Sequence, residues 1–152
     1  MNNPLLRASD VLDLKVKKSA TLTIAPDASV FDAVQLMNEH KVGSVVVVKE
    51  GRVAGILTER DILVRIVAVE LDPHTTLVAE AMTRDPFFVT RSTPASEAMS
   101  TATNKRCRHF PVVEAGKLLG LILIGDLMVL ASREQADRIN AGIPAMKAMT
   151  GR

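Results

Sequence analysis

Asp61 and Asp126 stand 65 residues apart, and each follows a glycine by six positions, in Gly55-Ile56-Leu57-Thr58-Glu59-Arg60-Asp61 and Gly120-Leu121-Ile122-Leu123-Ile124-Gly125-Asp126. A carboxylate at the entry to a helix can accept both hydroxyls of a ribose, as the acidic residue of dinucleotide folds does. The same helix start offers N–H groups to an anion. Thr58 adds a hydroxyl to the first motif, where the second has Leu123. Thr58 with Asp61 also fits an ordinary capping box, which needs no ligand and contributes about 1 kcal/mol. The register weighs against capping as the whole purpose, because the acid is shared between the motifs and the hydroxyl is not. The leading glycines are expected to let a ligand approach the backbone closely.

The same offset superimposes Val46-Val47-Val48 on Pro111-Val112-Val113, Gly51-Arg52 on Gly116-Lys117, and Asp32-Ala33 on Glu97-Ala98. Matched punctuation at a fixed period marks a duplicated unit. In the first unit, β-branched alternation predicts a strand over 20–24, ended by Ala25-Pro26-Asp27. Ser29 and Asp32 form a capping box for a helix whose Val30, Ala33, Val34 and Met37 share one face. The apolar run 44–48 predicts a covered strand, turned at Glu50-Gly51 into a second strand over 53–57. A helix follows over 58–70, with Ile62, Ile66 and Val69 inward.

In the second unit the counterparts are a strand over 86–90, a helix over 95–103 capped by Thr93 with Pro94 in its first turn, and a hairpin turned at Ala115-Gly116. The last helix carries Leu127, Leu130 and Ala131. Residues 134–141 read as a polar helical extension closed by Gly142 and Pro144, either a fraying tail or a docking helix. The expectation is an α/β protein of two β-α-β-β-α repeats, over 10–70 and 76–132, with an extension over 133–152.

Composition narrows the function. A chain of 152 residues can bury a sizeable core. A formal charge of +2, no Trp or Tyr and only four Phe give little with which to stack or neutralise nucleic acid, so that partner is not expected. The single cysteine, Cys107, makes no internal disulfide, and no metal-type Cys/His spacing occurs, which points to the reducing cytoplasm. Neither a secretion signal nor an apolar run of about 18 residues is present, so no membrane is expected. No pairing of a nucleophile with a base suggests an enzyme.

The duplicated unit, with an apolar strand before its hairpin and a Gly-x-x-Thr-x-x-Asp entry to a helix, resembles a tandem pair of cystathionine-beta-synthase (CBS) domains, a Bateman module standing alone. The resemblance spans roughly 10–132. It implies two repeats related by pseudo-twofold symmetry and packed through their sheets, with two clefts that bind adenine nucleotides (AMP, ADP, ATP) or other adenosyl ligands. Whether Mg²⁺ accompanies the ligand is left open. It also implies a regulatory sensor acting on another protein, and a homodimer formed by helix packing, for which Val30, Val34, Met37, Ala95, Met99 and Ala102 supply apolar faces.

Carried over by position, cleft 1 would place Thr58 and Asp61 at the ribose, and Met82, Phe87 and the backbone around Cys107 and Arg108 at the adenine. Arg108 and His109 would face the phosphates, assisted by Arg60. Cleft 2 would use Asp126 with Lys17, Leu22, Val42, Gly43 and Ser44. With Leu123 in place of Thr58, and Gly43-Ser44 in place of Arg108-His109, cleft 2 is expected to bind weakly, to take a neutral adenosyl ligand, or to stay empty. The run Lys105-Arg106-Cys107-Arg108-His109 also reads as a solvated basic helix end. Cys107 has cationic neighbours that could lower its pKa, and otherwise reads as a packing residue. Vestigial clefts, with the dimer surface and the C-terminal helix mediating interaction, are the alternative function.

Overall fold

The computed structural model describes residues 6–16 and 21–150. α1 (Ala8–Val16) leads to β1 (Thr23–Ile24), α2 (Val30–His40), β2 (Ser44–Lys49), β3 (Arg52–Thr58) and α3 (Glu59–Ile62), which continues as a π-helical turn over Leu63–Val67. α4 (Val78–Ala81) and β4 (Thr83–Arg84) lead to α5 (Ala95–Lys105), β5 (His109–Glu114), β6 (Lys117–Leu123) and α6 (Ile124–Thr150).

The 65-residue period governs backbone detail. β1 runs parallel to β2 with Ile24 opposite Val47, and the bridge of Val89 to Val112 repeats that pairing in the second unit. Both hairpins shift register at one place, between Val47 and Val48 and between Val112 and Val113. Left-handed backbone at Lys41, Glu50 and Gly51 recurs at Arg106, Ala115 and Gly116. Lys41 and Arg106 terminate α2 and α5, where a left-handed residue closes a helix without glycine.

The fold is the expected mixed α/β pair of repeats. α2 is capped as expected, with the Asp32 N–H donating to Ser29 Oγ at 3.0 Å and the Ser29 N–H donating to Asp32 Oδ2 at 3.3 Å. Several local expectations give way. The strand expected over 86–90 reduces to the Val89 bridge. Pro94 precedes α5 as its cap rather than entering its first turn, while Thr93 Oγ1 accepts the Thr90 N–H at 3.0 Å within the preceding turn. Val69 is 56% exposed, because the wider π turn moves the chain out of the i, i+3, i+4 face that keeps Ile66 buried. α6 passes through Gly142 and Pro144 instead of closing there.

Two apolar cores form, and each is completed by the short helix that precedes the other repeat. Val30, Met37, Val45, Val47, Leu57 and Ile66 are joined by Val78, Ala81 and Met82. Ala98, Phe110, Val112, Ile122 and Leu127 are joined by Ala8, Val11 and Leu12. Matching backbone bonds fix the exchange. The Val30 and Val78 N–H groups donate to Thr76 and Ala28, while those of Ala8 and Ala95 donate to Thr93 and Leu6. β4 adds to the edge of β3, pairing Thr83 with Ile56, and β3 packs on β6. Full burial of a side chain such as Leu57 or Ile122 contributes about 1.5–3 kcal/mol, so neither repeat keeps its core without the other's lead-in.

This exchange corrects the expected source of a dimer face. Val30, Met37, Ala95 and Ala102 are buried in the chain's own cores, with Val34 and Met99 partly buried against them. The exposed apolar side chains lie elsewhere, at Leu63, Val64, Val67, Val69 and Leu71.

Candidate ligand-binding clefts

The end of β3 turns directly into α3, and Thr58 and Asp61 close the turn reciprocally. Asp61 Oδ2 accepts from the Thr58 N–H and from Thr58 Oγ1, both at 2.9 Å, while the Asp61 N–H donates to Thr58 Oγ1 at 3.2 Å. The second carboxylate oxygen, Oδ1, accepts from Thr83 Oγ1 at 3.2 Å and lies 3.8 Å from Arg65 Nη2. The Asp61 side chain is only 12% exposed. Arg65 Nη1 donates to the carbonyls of Ala81 at 2.9 Å and Met82 at 2.6 Å. The acid of the first repeat is thus met by the lead-in to the second.

At the second motif the Leu123 N–H donates to Asp126 Oδ2 at 2.9 Å. The acid is therefore the capping group common to both helix entries, and the hydroxyl is the optional member. Capping alone accounts for the shared acid, contrary to the weight placed on the register. The motif glycines have an internal cause as well. A Cβ on Gly55 would meet the Met82 side chain and the Thr83 carbonyl, and a Cβ on Gly120 would meet Leu12 Cδ1. Close packing of the exchanged lead-in segments, not approach of a ligand, requires these glycines.

The remaining cleft 1 residues are dispersed in character. Met82 is buried in the first core. Phe87 is 49% exposed, and Arg60 and Arg108 are exposed. The Arg108 carbonyl accepts the Ile124 N–H at 2.9 Å, as the Gly43 carbonyl accepts that of Glu59 at 3.0 Å. His109 pairs with Leu123, and Ser44 pairs with Thr58. The start of each central strand therefore stands beside its own repeat's acid, and grouping Arg108 and His109 with Asp61 depends on packing between repeats. Cys107 is partly buried, with Sγ 3.9 Å from the Thr101 carbonyl. Burial pushes its thiol pKa up, outweighing the lowering by its backbone hydrogen bond and by Lys105, so the expected activation by cationic neighbours is not found.

Of the cleft 2 residues, Lys17 lies outside the described residues. Leu22 packs partly buried against the first core, Val42 is exposed, and Ser44 is buried. Gly43 faces the Glu59 carboxylate, which a Cβ would meet at 3.1 Å. An open cavity of about 740 Å³ takes Val42 and Gly43 together with α2 and α3 side chains such as Met37 and Ile62, and includes neither Asp61 nor Asp126 among its lining residues. Sequence reasoning missed Arg65 and Thr83. The i, i+4 spacing of Asp61 and Arg65 was a readable signal, whereas Thr83 reaches Asp61 only through β4 pairing.

This geometry defines a class: a duplicated α/β module whose repeats exchange lead-in helices and enter a helix at each hairpin end through a buried acid. The chain belongs to the CBS domain family, whose profile matches residues 9–68 and 78–133. It is 38% identical over 145 residues to the mitochondrial CBS domain-containing protein CBSX3 of Arabidopsis thaliana, covering 89% of this chain and 70% of that protein. It spans only 20–26% of the larger Arabidopsis relatives CBSCBSPB2 and CBSCBSPB3. A Burkholderia ambifaria protein with CBS domains superposes with a TM-score of 0.80 at 36% identity, over 86% of this chain and 96% of that one. The CBS domain pair of protein MJ0100, in complex with 5′-methylthioadenosine and S-adenosyl-L-methionine, has the same fold, with a TM-score of 0.73 at 20% identity over 86% of this chain and 99% of that one. No described helix is long and apolar enough to cross a membrane.

Proposed function

We propose that the chain is a regulatory ligand-sensing module that binds an adenosine-containing nucleotide (AMP, ADP or ATP) in cleft 1 and signals to a partner protein by a change of conformation. The observation that carries this reading is the meeting of Asp61, from the first repeat, with Thr83, from the lead-in to the second. A ligand whose ribose engages Asp61 touches the joint between repeats, so its occupancy can alter how they sit together. The adenosyl ligands of the MJ0100 pair support the ligand class. In this reading Thr58 and Asp61 hold the ribose, Phe87 and the Cys107–Arg108 backbone meet the base, and Arg108, His109 and Arg60 face phosphates, Arg being able to donate two parallel bonds. Met82 contributes through its backbone, since its side chain fills the core.

Cleft 2, around Asp126, Lys17, Leu22, Val42, Gly43 and Ser44, is the weaker site in this reading. The module does no catalysis and works in a reducing compartment, the cytoplasm in the simplest case, where Cys107 stays a thiol. Titration calorimetry with AMP, ADP, ATP and S-adenosylmethionine, each with and without Mg²⁺, tests it. One ligand per chain at cleft 1 supports the sensor. No binding by a chain freed of co-purified ligand contradicts it.

A second reading, a structural subunit that self-associates and docks a partner, is favoured by the exposed Leu63, Val64 and Val67 of the π turn and by Met128, Val129 and Ile139 on α6. Such apolar exposure on one helical segment suits a homodimer face. Sedimentation of the full chain, with and without nucleotide, separates the two: a dimer indifferent to nucleotide supports the second.

A further inference from the structure

Asp61 has no lone pair to spare. A carboxylate offers about four acceptor directions. Those of Asp61 face the Thr58 N–H, Thr58 Oγ1, Thr83 Oγ1 and the Arg65 guanidinium. Two of the partners are local capping groups that the hairpin end always supplies. Thr83 and Arg65 are different, because Thr83 belongs to β4 and Arg65 ties the π turn to the Ala81 and Met82 carbonyls just before it.

This arrangement belongs to the first repeat. At the 65-residue offset the position of Arg65 is Leu130, and Leu63–Val67 corresponds to 128–132, inside the regular α6. The second hairpin end enters its helix without a π turn and without an arginine at that place. The duplicated fold therefore does not need them. In the first repeat the π turn, closed by the Ala68 N–H donating to the Leu63 carbonyl at 2.9 Å, accompanies the placement of the guanidinium over the 81–82 carbonyls.

We infer that Thr83 and Arg65 form a ligand-displaceable latch on Asp61. The inference rests on the sensor reading of cleft 1 and adds its regulation. A cis-diol that hydrogen-bonds to Asp61 Oδ1 must take the direction held by the Thr83 hydroxyl. Loss of that bond frees Thr83 and Arg84 from α3 and leaves β4 held on β3 by two register pairs, Gly55 with Arg84 and Ile56 with Thr83. The lead-in to the second repeat then loosens where the ligand binds. Thr83 and Arg65 act as positioning residues that set the affinity of the cleft and couple its occupancy to the joint.

The test uses the full chain with AMP and ADP as probes, compares wild type with Thr83→Val and Thr83→Ser, and reads both calorimetric affinity and hydrogen exchange of the 81–84 amides. Thr83→Val keeps the β-branched shape suited to a strand and removes the competing donor. It is expected to bind the nucleotide roughly three- to tenfold more tightly, the worth of about one hydrogen bond to a charged group. In wild type and Thr83→Ser, ligand should speed exchange at 81–84; in Thr83→Val those amides should exchange fast already. Equal or weaker binding by Thr83→Val, with wild type binding, overturns the latch and leaves the sensor reading standing. Absence of binding in all three chains overturns both.

Discussion

Leu12, from the helix that opens the chain, places its Cδ1 where a Cβ of Gly120 in β6 would lie, and Met82 stands in the same relation to Gly55 in β3. Each repeat therefore leaves out one side chain to admit the other's lead-in. The two obstacles differ in kind. Gly55 faces the Thr83 carbonyl as well as Met82, whereas Gly120 faces chiefly the end of a leucine. A side chain can turn away and a strand carbonyl cannot. Gly55→Ala is expected to destabilise by about 1–3 kcal/mol, and Gly120→Ala by less. Urea midpoints of the two variants check this, and a larger loss for Gly120→Ala would contradict it.

The exchanged helix gives a second expectation. Leu12→Ala removes a buried side chain near the N-terminus, yet its cavity opens in the core around Phe110, Val112 and Ile122. A cost of about 2–5 kcal/mol is expected. Hydrogen exchange should quicken more in β5 and β6 than in β2 and β3. The reverse order would show that α1 belongs to its own repeat.

Cys107 supplies a pH-dependent prediction. Its thiol pKa is raised from 9.0 by burial, so the proton is held more tightly in the folded chain. The stability linked to this group is complete below the unfolded thiol value, about 8.5, and is lost as pH rises through the higher folded value. Alkylation by iodoacetamide across pH should follow a midpoint above that of a free thiol. A midpoint below about 8 would restore the activated thiol that the neighbouring arginines suggested.

Much of the fold was legible because duplication repeats backbone constraints as well as residues. Gly51 and Gly116 mark turns that need left-handed backbone, and Ser29 with Asp32 announces a helix start that forms as read. The π turn was not legible, since Leu63, Val64, Ile66 and Val67 fit a regular helix as well as a widened one. The shared acid was found, but its reason was misjudged: Asp126 caps Leu123 through the backbone N–H, for which a side-chain hydroxyl is immaterial. Nor does periodicity show which repeat a lead-in helix completes, because Val11 and Leu12 are equally apolar against either core. Thr83 escaped notice because a contact across 22 residues depends on sheet pairing, which no local pattern encodes.

The central claim, nucleotide binding at the joint through Asp61, is tested most directly by calorimetric titration of Asp61→Asn and Asp126→Asn with the nucleotide that binds wild type. Asparagine keeps an acceptor for the capping N–H of Thr58 or Leu123 while removing the charge, so the helix entries are preserved. Asp61→Asn is expected to weaken the wild-type site by roughly tenfold or more, the effect of losing charge-assisted bonds to a diol, and Asp126→Asn to leave that site nearly unchanged. Equal losses in the two variants, or full affinity in Asp61→Asn, would contradict the account.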